Sequence, residues 1–481
     1  MDRREAERLY DSGKEPTVEK LLEFNRENTH LKEKIARLET TSQSSSKPPS
    51  SDSPSARKGR PPSKKTSRGR KPGGQPGHVG STRELLPVEK VTKVVPCYPA
   101  ECTSCPHFST CSSPKKTGQP FRFQVTEIEP ITPTVTEYQV YTLSGRCGKV
   151  HRGSLPKEVA HSSFGPRLTG LCAYFTGVLR QPRRALQDCL RMVFGVHLAL
   201  GSTQNLLAQT SQALAPVDQE LKEALPPQKV IGADESGWTK KSKQWIWVFV
   251  AKGFIYFHIA TSRGSKVLVD VLGQIYGGIL CVDRWGAYTK YHCGLLQICW
   301  AHLKRDILGI KEIGKKTRSA EARAFSRRME YLRKRLMALW YPVKAGKRTR
   351  KWLKRKAAPL QESIRRCLES YHDASDRKVR SFARRLLKLF PHLFTFIDHE
   401  GVEPTNNGSE RAIRAAVIWR KICFGNRSNE GAIISARLLT VTRTCWAQER
   451  NALEFLVDAI TAYRNGSPAP SLLVQDELQA A

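Results

Sequence analysis

The sequence predicts a multidomain α/β protein. A mixed α/β region, followed by a long stretch of basic helices, comes after several smaller N-terminal regions. Three observations predict this. Short β-branched and aromatic runs bounded by Gly and polar turns fall between residues 226 and 302, as strands do. Helical patterning with an extreme positive charge occupies 303–400. The first 160 residues change character twice, from a heptad to a Pro/Ser/basic stretch and then to clustered Cys. At 481 residues the chain has room for two to four domains.

Residues 1–40 read as a coiled-coil helix. Leu21, Asn28 and Ile35 share one seven-residue register, and Phe24, Leu31 and Leu38 share the other. A single Asn at an a position favours register-specific pairing of two strands, so a homo-oligomer of at least two copies is expected. Residues 41–83 form a linker rich in Pro, Gly, Ser and cations, too poor in apolar side chains for a core. Its KGRPP and RGRKP pieces set Arg60, Arg68, Arg70 and Lys71 in an extended arm. Such an arm suits a DNA minor groove, and equally a flexible basic tether.

Residues 84–160 hold four cysteines in a short span, Cys97, Cys102, Cys105 and Cys111, and two alternating runs expected as strands, 121–129 and 134–143. Cys102 and Cys105 have the spacing at which two thiolates reach one tetrahedral Zn²⁺. The region 161–225 turns helical, with breaks at Gln181-Pro182 and Gly195–Ser202. That pattern is compatible with a helix-turn-helix whose second helix starts near Ser202. Strands follow at 230–234, 245–251, 254–260 and 278–283, with a helix at 266–274, to make the first part of the core, 226–302. Basic helices span 303–400, further helices 401–465, and a tail 466–481; the resemblance described below makes 303–400 an insertion and 401–465 the last part of the core.

The chain carries 80 Lys and Arg against 44 Asp and Glu, a net charge of +36. Such an excess repels itself unless a polyanion neutralises it, and DNA is the expected partner. The insertion alone has 28 Lys and Arg against 10 Asp and Glu, half of the net excess. Within it Lys347, Arg348, Arg350, Lys351, Lys354, Arg355 and Lys356 cluster around Trp352, a candidate contact to the DNA backbone. No apolar stretch approaches the roughly 20 residues needed to span a bilayer. The N-terminus has no secretory h-region, so no membrane partner is expected and the chain is read as cytoplasmic. Thirteen cysteines, an odd number and mostly scattered, point to a reducing compartment.

Two strands run into acids. Val230–Ala233 leads to Asp234, and Gly278–Val282 leads to Asp283. An Asp at the end of a strand buried on both faces sits where the chain leaves the core and an ion can reach it. Two such acids side by side repel one another, and Mg²⁺ or Mn²⁺ relieves the repulsion. Each alone is equally good turn chemistry. The third acid is Glu410, in the first turn of a helix expected after Thr405-Asn406-Asn407 and on the stripe of Ile413 and Val417. A carboxylate on that inward stripe needs a metal or a cation, and Arg411 and Arg414 are the nearby alternatives.

The order ADESGW, GILCVDRWGAY, CWAHLKRD and NNGSERAIRAAVIWRKICFGNRSNEGA resembles the transposases of the insertion sequence 66 family, of the Asp-Asp-Glu class. The likeness covers nearly the whole chain, including GGQPGH and FGPRLTGLCAYFTGVLRQPRR. It implies an RNase H-like catalytic domain in which Asp234, Asp283 and Glu410 hold catalytic Mg²⁺ and the helical insertion separates the second acid from the third. The implied activity is metal-dependent DNA strand cleavage and strand transfer in a bacterial, nucleoid-associated setting. The implied partners are terminal inverted repeats, target DNA and small accessory transposition proteins. Arg411 and Arg414 fall in the matching block and are candidate DNA contacts. His302, in the CWAH block, is a candidate accessory residue near the scissile phosphate, or a structural hydrogen-bonder.

Where the family has a second Cys pair, this chain reads Ser144-Gly-Arg-Cys147. The candidate structural Zn²⁺ set is therefore Cys102 and Cys105 with two of Cys97, Cys111 and Cys147. A finger that no longer binds zinc is the alternative. Other functions stay open from sequence: a DNA-binding protein without activity, either a regulator or a catalytically decayed transposase, and a structure-specific RNase H-like nuclease that cuts without joining.

Overall fold

The computed structural model describes residues 7–8, 10–38, 84–107, 120–157, 159, 162–239 and 243–473. The linker with Arg60, Arg68, Arg70 and Lys71, together with Cys111 and residues 474–481, lies outside the described residues. The chain divides into two units, 58–132 and the remainder.

In the smaller unit the backbone of Leu86 is held by the side chains of Gln124 and Arg122, the latter donating to its carbonyl at 2.6 Å. Its N–H donates to Gln124 Oε1 (2.9 Å) and its carbonyl accepts from Gln124 Nε2 (2.9 Å). Residues 121–129, expected as a strand, form no regular element and pair with no strand. Phe121, Phe123 and Val125 are at least 80% exposed, so alternation here buries no face and no ladder forms.

In the larger unit, helix α1 (Lys14–Leu38) spans the heptad. Leu21, Leu31 and Ile35 stay about half exposed, accessible to a second helix. Of the run expected at 134–143, only the end enters a strand. β1 (Thr142–Ser144) pairs with β2 (Val150–Arg152) across a turn closed by Gly148 at φ +70°. The preceding residues have no partner strand.

Helices α2 (Pro166–Gly177), α3 (Arg183–Phe194) and α4 (Leu200–Ala213) enclose a small core of Cys172, Leu186, Leu190, Leu198 and Leu206. Gly195 ends α3 in the left-handed conformation (φ +64°), and Val196 N–H closes back on Leu190 O at 3.0 Å. The next helix starts at Leu200, two residues before the expected Ser202. Helix α5 (Ala215–Glu223) leads into the sheet.

That sheet has five strands in the order β5-β4-β3-β6-β7. β3 (Val230–Gly237), β4 (Trp245–Val250) and β5 (Ile255–Ala260) form an antiparallel meander, and Gly253 (φ +83°) turns its hairpin. After helix α6 (Lys266–Leu272), β6 (Ile279–Val282) runs parallel to β3. After helix α7 (Gly286–Tyr291), β7 (Leu296–Ile298) runs parallel to β6. β3 extends three residues beyond Asp234, because its antiparallel ladder with β4 continues after the parallel ladder with β6 has stopped.

The insertion consists of α8 (Trp300–Lys316), α9 (Ala320–Lys344), α10 (Arg350–Ser370) and α11 (Arg377–Lys388). Ser319, Thr349 and Asp376 cap the last three through their side chains. Their apolar stripes join the main core through Phe325, Met329, Leu353, Ile364 and Phe382, which explains how so charged a segment folds against the sheet. The chain returns through α12 (Asn407–Cys423), α13 (Asn429–Ala447) and α14 (Ala452–Asn465). α13 covers the free edge of β5: Thr440 Oγ1 accepts from Phe257 N–H and Thr444 Oγ1 from Ile255 N–H, both at 3.0 Å. An otherwise open edge is thereby closed within the chain.

Candidate active site

β3 and β6 carry the two aspartates to one place. Gly232 and Cys281 are the last partners of their parallel ladder, and Asp234 and Asp283 each lie two residues further on. Strand side chains alternate, so both acids leave the same face of the sheet at the same end. Asp234 is partly exposed, yet its carboxyl is held well above the usual range. Burial is the main cause, followed by repulsion from Glu235, Asp283 and Glu410. Asp283 Oδ1 accepts from the backbone N–H of Trp285 at 2.7 Å, which fixes its carboxylate.

Glu410 reaches this face because Gly232 has no side chain. A Cβ at Gly232 would stand 2.5 Å from Ser409 Oγ and 3.0 Å from Asn406 Oδ1. Asn406 Nδ2 donates to Ala233 O at 2.6 Å, pinning the start of α12 onto β3. Glu410 faces inward, as expected from its stripe. Its cationic partner is neither Arg411 nor Arg414, which are both exposed. It is Arg305 of α8, 3.2 Å from Oε2, while His302 Nδ1 lies 3.3 Å from Oε1. The latter contact is within ion-pair distance but lacks hydrogen-bond geometry, so His302 Nδ1 and Glu410 Oε1 are both buried without a hydrogen-bond partner. Among the described residues, Cys299, His302 and Glu410 form the group whose ligand atoms all lie within 4.8 Å of one another.

A second polar cluster adjoins the aspartates, and sequence reasoning did not single it out. Glu235 is buried on the opposite face of β3, accepts two hydrogen bonds from Arg263 (3.0 and 2.8 Å) and another from Tyr288 Oη. Burial and Asp283 raise its carboxyl. The Arg263 guanidinium sits 4.0 Å from the Trp285 ring centroid and 4.8 Å from that of Trp245. Arg284 pairs with Asp306 of α8, whose carboxyl burial also raises. Asp306 follows His302 at i+4, a spacing visible in CWAHLKRD. Glu235 and Arg263 are brought together by sheet pairing, which leaves no local signal.

Residues 161–433 match the profile described as Transposase IS66 family. The chain belongs to that family. In this IS66-family transposase, residues 7–84 also match a family described as of unknown function, DUF6444. A search among curated proteins found no match. Among the described residues no helix is long and apolar enough to cross a membrane.

Of the other sequence-predicted residues, Lys347, Arg348, Lys351, Lys354, Arg355 and Lys356 are exposed on the transposase insertion. Arg350 is less exposed, donating to Phe396 O and lying over Trp340. Lys354 is 2.8 Å from Asp398. Cys97, Cys105 and Cys147 are exposed thiols. The side chain of Cys102 and all of Cys111 lie outside the described residues, and Cys147 belongs to the larger unit.

Proposed function

We propose that the chain cuts and joins DNA strands, with Asp234, Asp283 and Glu410 holding Mg²⁺ or Mn²⁺. The observation that carries this reading is the pairing of Asp234 and Asp283 just past the end of one parallel ladder, where Asp283 adds to the cost of charging the buried carboxyl of Asp234. A divalent cation removes that cost, and hard carboxylate oxygens are the ligands such ions prefer. Bound there, metal ions would activate an attacking oxygen and stabilise a leaving one at phosphorus. The protein's share is placement. Trp285 N–H orients Asp283, Asn406 docks the helix of Glu410 onto β3, and Arg305 holds the outer oxygen of Glu410. The antiparallel meander joined to two parallel strands, with the third acid on a helix facing β3, supports an RNase H-like fold.

DNA is the substrate the charge favours. The exposed cations around Trp352 would neutralise backbone phosphates, and the half-exposed α1 stripe would pair two copies. The Cys-rich segment would bind Zn²⁺ through Cys102 and Cys105. Metal analysis after replacing Cys105 with Ser tests that part.

The principal test incubates the chain with DNA carrying the element's ends and Mg²⁺, then supplies ends bearing free 3′-hydroxyls. Cleavage and joining should both occur and vanish in Asp234→Ala, Asp283→Ala and Glu410→Ala, with DNA binding retained. Normal cleavage by any of these variants would overturn the triad. Cutting without joining would instead favour a structure-specific nuclease.

A further inference from the structure

We propose that Cys299, His302 and Glu410 form a site for a thiophilic divalent ion such as Zn²⁺, distinct from the aspartate pair. The site shares Glu410 with the function proposed above but does not depend on strand cleavage.

The geometry is that of three corners around one ion. Cys299 Sγ, His302 Nδ1 and Glu410 Oε1 lie within 4.8 Å of one another, and the nitrogen–oxygen edge is 3.3 Å. Ligands about 2.0–2.3 Å from a tetrahedral Zn²⁺ stand about 3.3–3.8 Å apart, a separation the nitrogen–oxygen edge meets. Two of the three atoms, His302 Nδ1 and Glu410 Oε1, are buried and hydrogen-bonded to nothing. Buried polar atoms are satisfied in nearly all cases, and two orphans 3.3 Å apart, beside a sulfur, point to a shared partner.

The surroundings of the sulfur suit its anion. Cys299 is fully buried and stands at the N-cap of α8, a helix of 17 residues. Asn406 N–H donates to Sγ at 3.2 Å, and the backbone N–H groups of Ala301 and His302 also face it. Amide donors and a helix N-terminus both favour a thiolate. With no cation, burial is the larger influence and the thiol stays protonated. On binding, the thiol proton is released to solvent, and thiolate and carboxylate together neutralise the dication. Arg305 on Oε2 leaves Oε1 free to turn inward. Sulfur and imidazole select a softer ion than Mg²⁺, and a water would complete the fourth position.

Such an ion would tie the first turn of α12 to the first turn of α8, and so fix the orientation of Glu410 before any hard ion reaches the aspartates.

Cobalt titration of the full chain tests the proposal, with Cys97, Cys102, Cys105, Cys111 and Cys147 replaced by Ser to silence the N-terminal thiols. One equivalent of Co²⁺ should produce a thiolate-to-cobalt charge-transfer band in the near ultraviolet that Zn²⁺ removes. Cys299→Ser should abolish the band. His302→Ala and Glu410→Gln should weaken binding at least roughly tenfold. The double variant Asp234→Asn/Asp283→Asn should keep the band. Absence of a band, or a band surviving Cys299→Ser, overturns the site. If the multiply substituted chain does not fold, the difference spectrum between the natural chain and Cys299→Ser reads the same thiolate. Loss of cleavage with the aspartate variants while no band forms would sink this site alone. A band with cleavage unaffected by those variants would sink the strand-cutting reading alone.

Discussion

Ser409 touches the backbone of β3 at Gly232, where an added Cβ would come within 2.5 Å of its Oγ. That absence of a side chain lets the first turn of α12 rest on the sheet and brings Glu410, one residue further on, to the face that carries Asp234. Gly232→Ala should push α12 outward. The expected cost is about 1–3 kcal/mol in denaturant unfolding, with cleavage falling far more than DNA binding. Adding Ser409→Ala removes the obstructing oxygen and should restore much of both. If the double variant is no better than Gly232→Ala, the close approach is not what positions Glu410.

Asp234 is a stability liability in the absence of metal, because burial and three neighbouring acids oppose its charge. Asp234→Asn should therefore raise the melting temperature in EDTA while eliminating cleavage. Mg²⁺ should raise the melting temperature of the natural chain and leave the variant nearly unmoved, since only a native state that binds the ion gains from it. Equal Mg²⁺ shifts in both proteins would remove Asp234 from the metal site.

Asp218 allows a pH test remote from the aspartates. It is paired with Arg437 at 3.5 Å, but burial pushes its carboxyl up to about 6 from 3.8. Between those values the folded chain holds a proton that the unfolded chain has lost. Stability from this group is thus present at low pH and falls as pH rises from about 4 to about 6. The full loss is on the order of 3 kcal/mol at most. Subtracting unfolding free energies of Asp218→Asn from those of the natural chain at several pH values should reveal that slope. A flat difference would show that Arg437 keeps Asp218 ionised throughout.

The insertion's exposed cations should act through phosphates without reading sequence. Replacing Lys351, Arg355 and Lys356 together with Ala should weaken binding to all duplexes alike. The slope of log K against log salt should become shallower by about 0.9 for each phosphate that is no longer neutralised. A change confined to element-end DNA would assign this face to specific recognition instead.

The two aspartates were legible because each follows a continuous apolar run, although only β6 is buried on both faces, while β3 alternates between half-buried and buried positions. Glu410 was legible as an inward acid from the 3.6-residue stripe it shares with Ile413. The insertion was visible as charge, and its apolar stripes placed it as helix. By contrast, the runs at 121–129 and 134–143 alternate as strands do but find no partner along most of their length, because a ladder is a property of two segments and alternation of one. The cluster of Glu235, Arg263, Tyr288 and Trp285 was invisible for the same reason: its members meet across β-pairing and helix packing, not along the chain. The sequence by itself determined which acids are available and the helical or extended character of the segments that carry them, since both depend on local periodicity. Only the tertiary structure decided that Glu410 faces Arg305 and His302 instead of Arg411 or Arg414, because packing α8 against α12 brings together groups about a hundred residues apart.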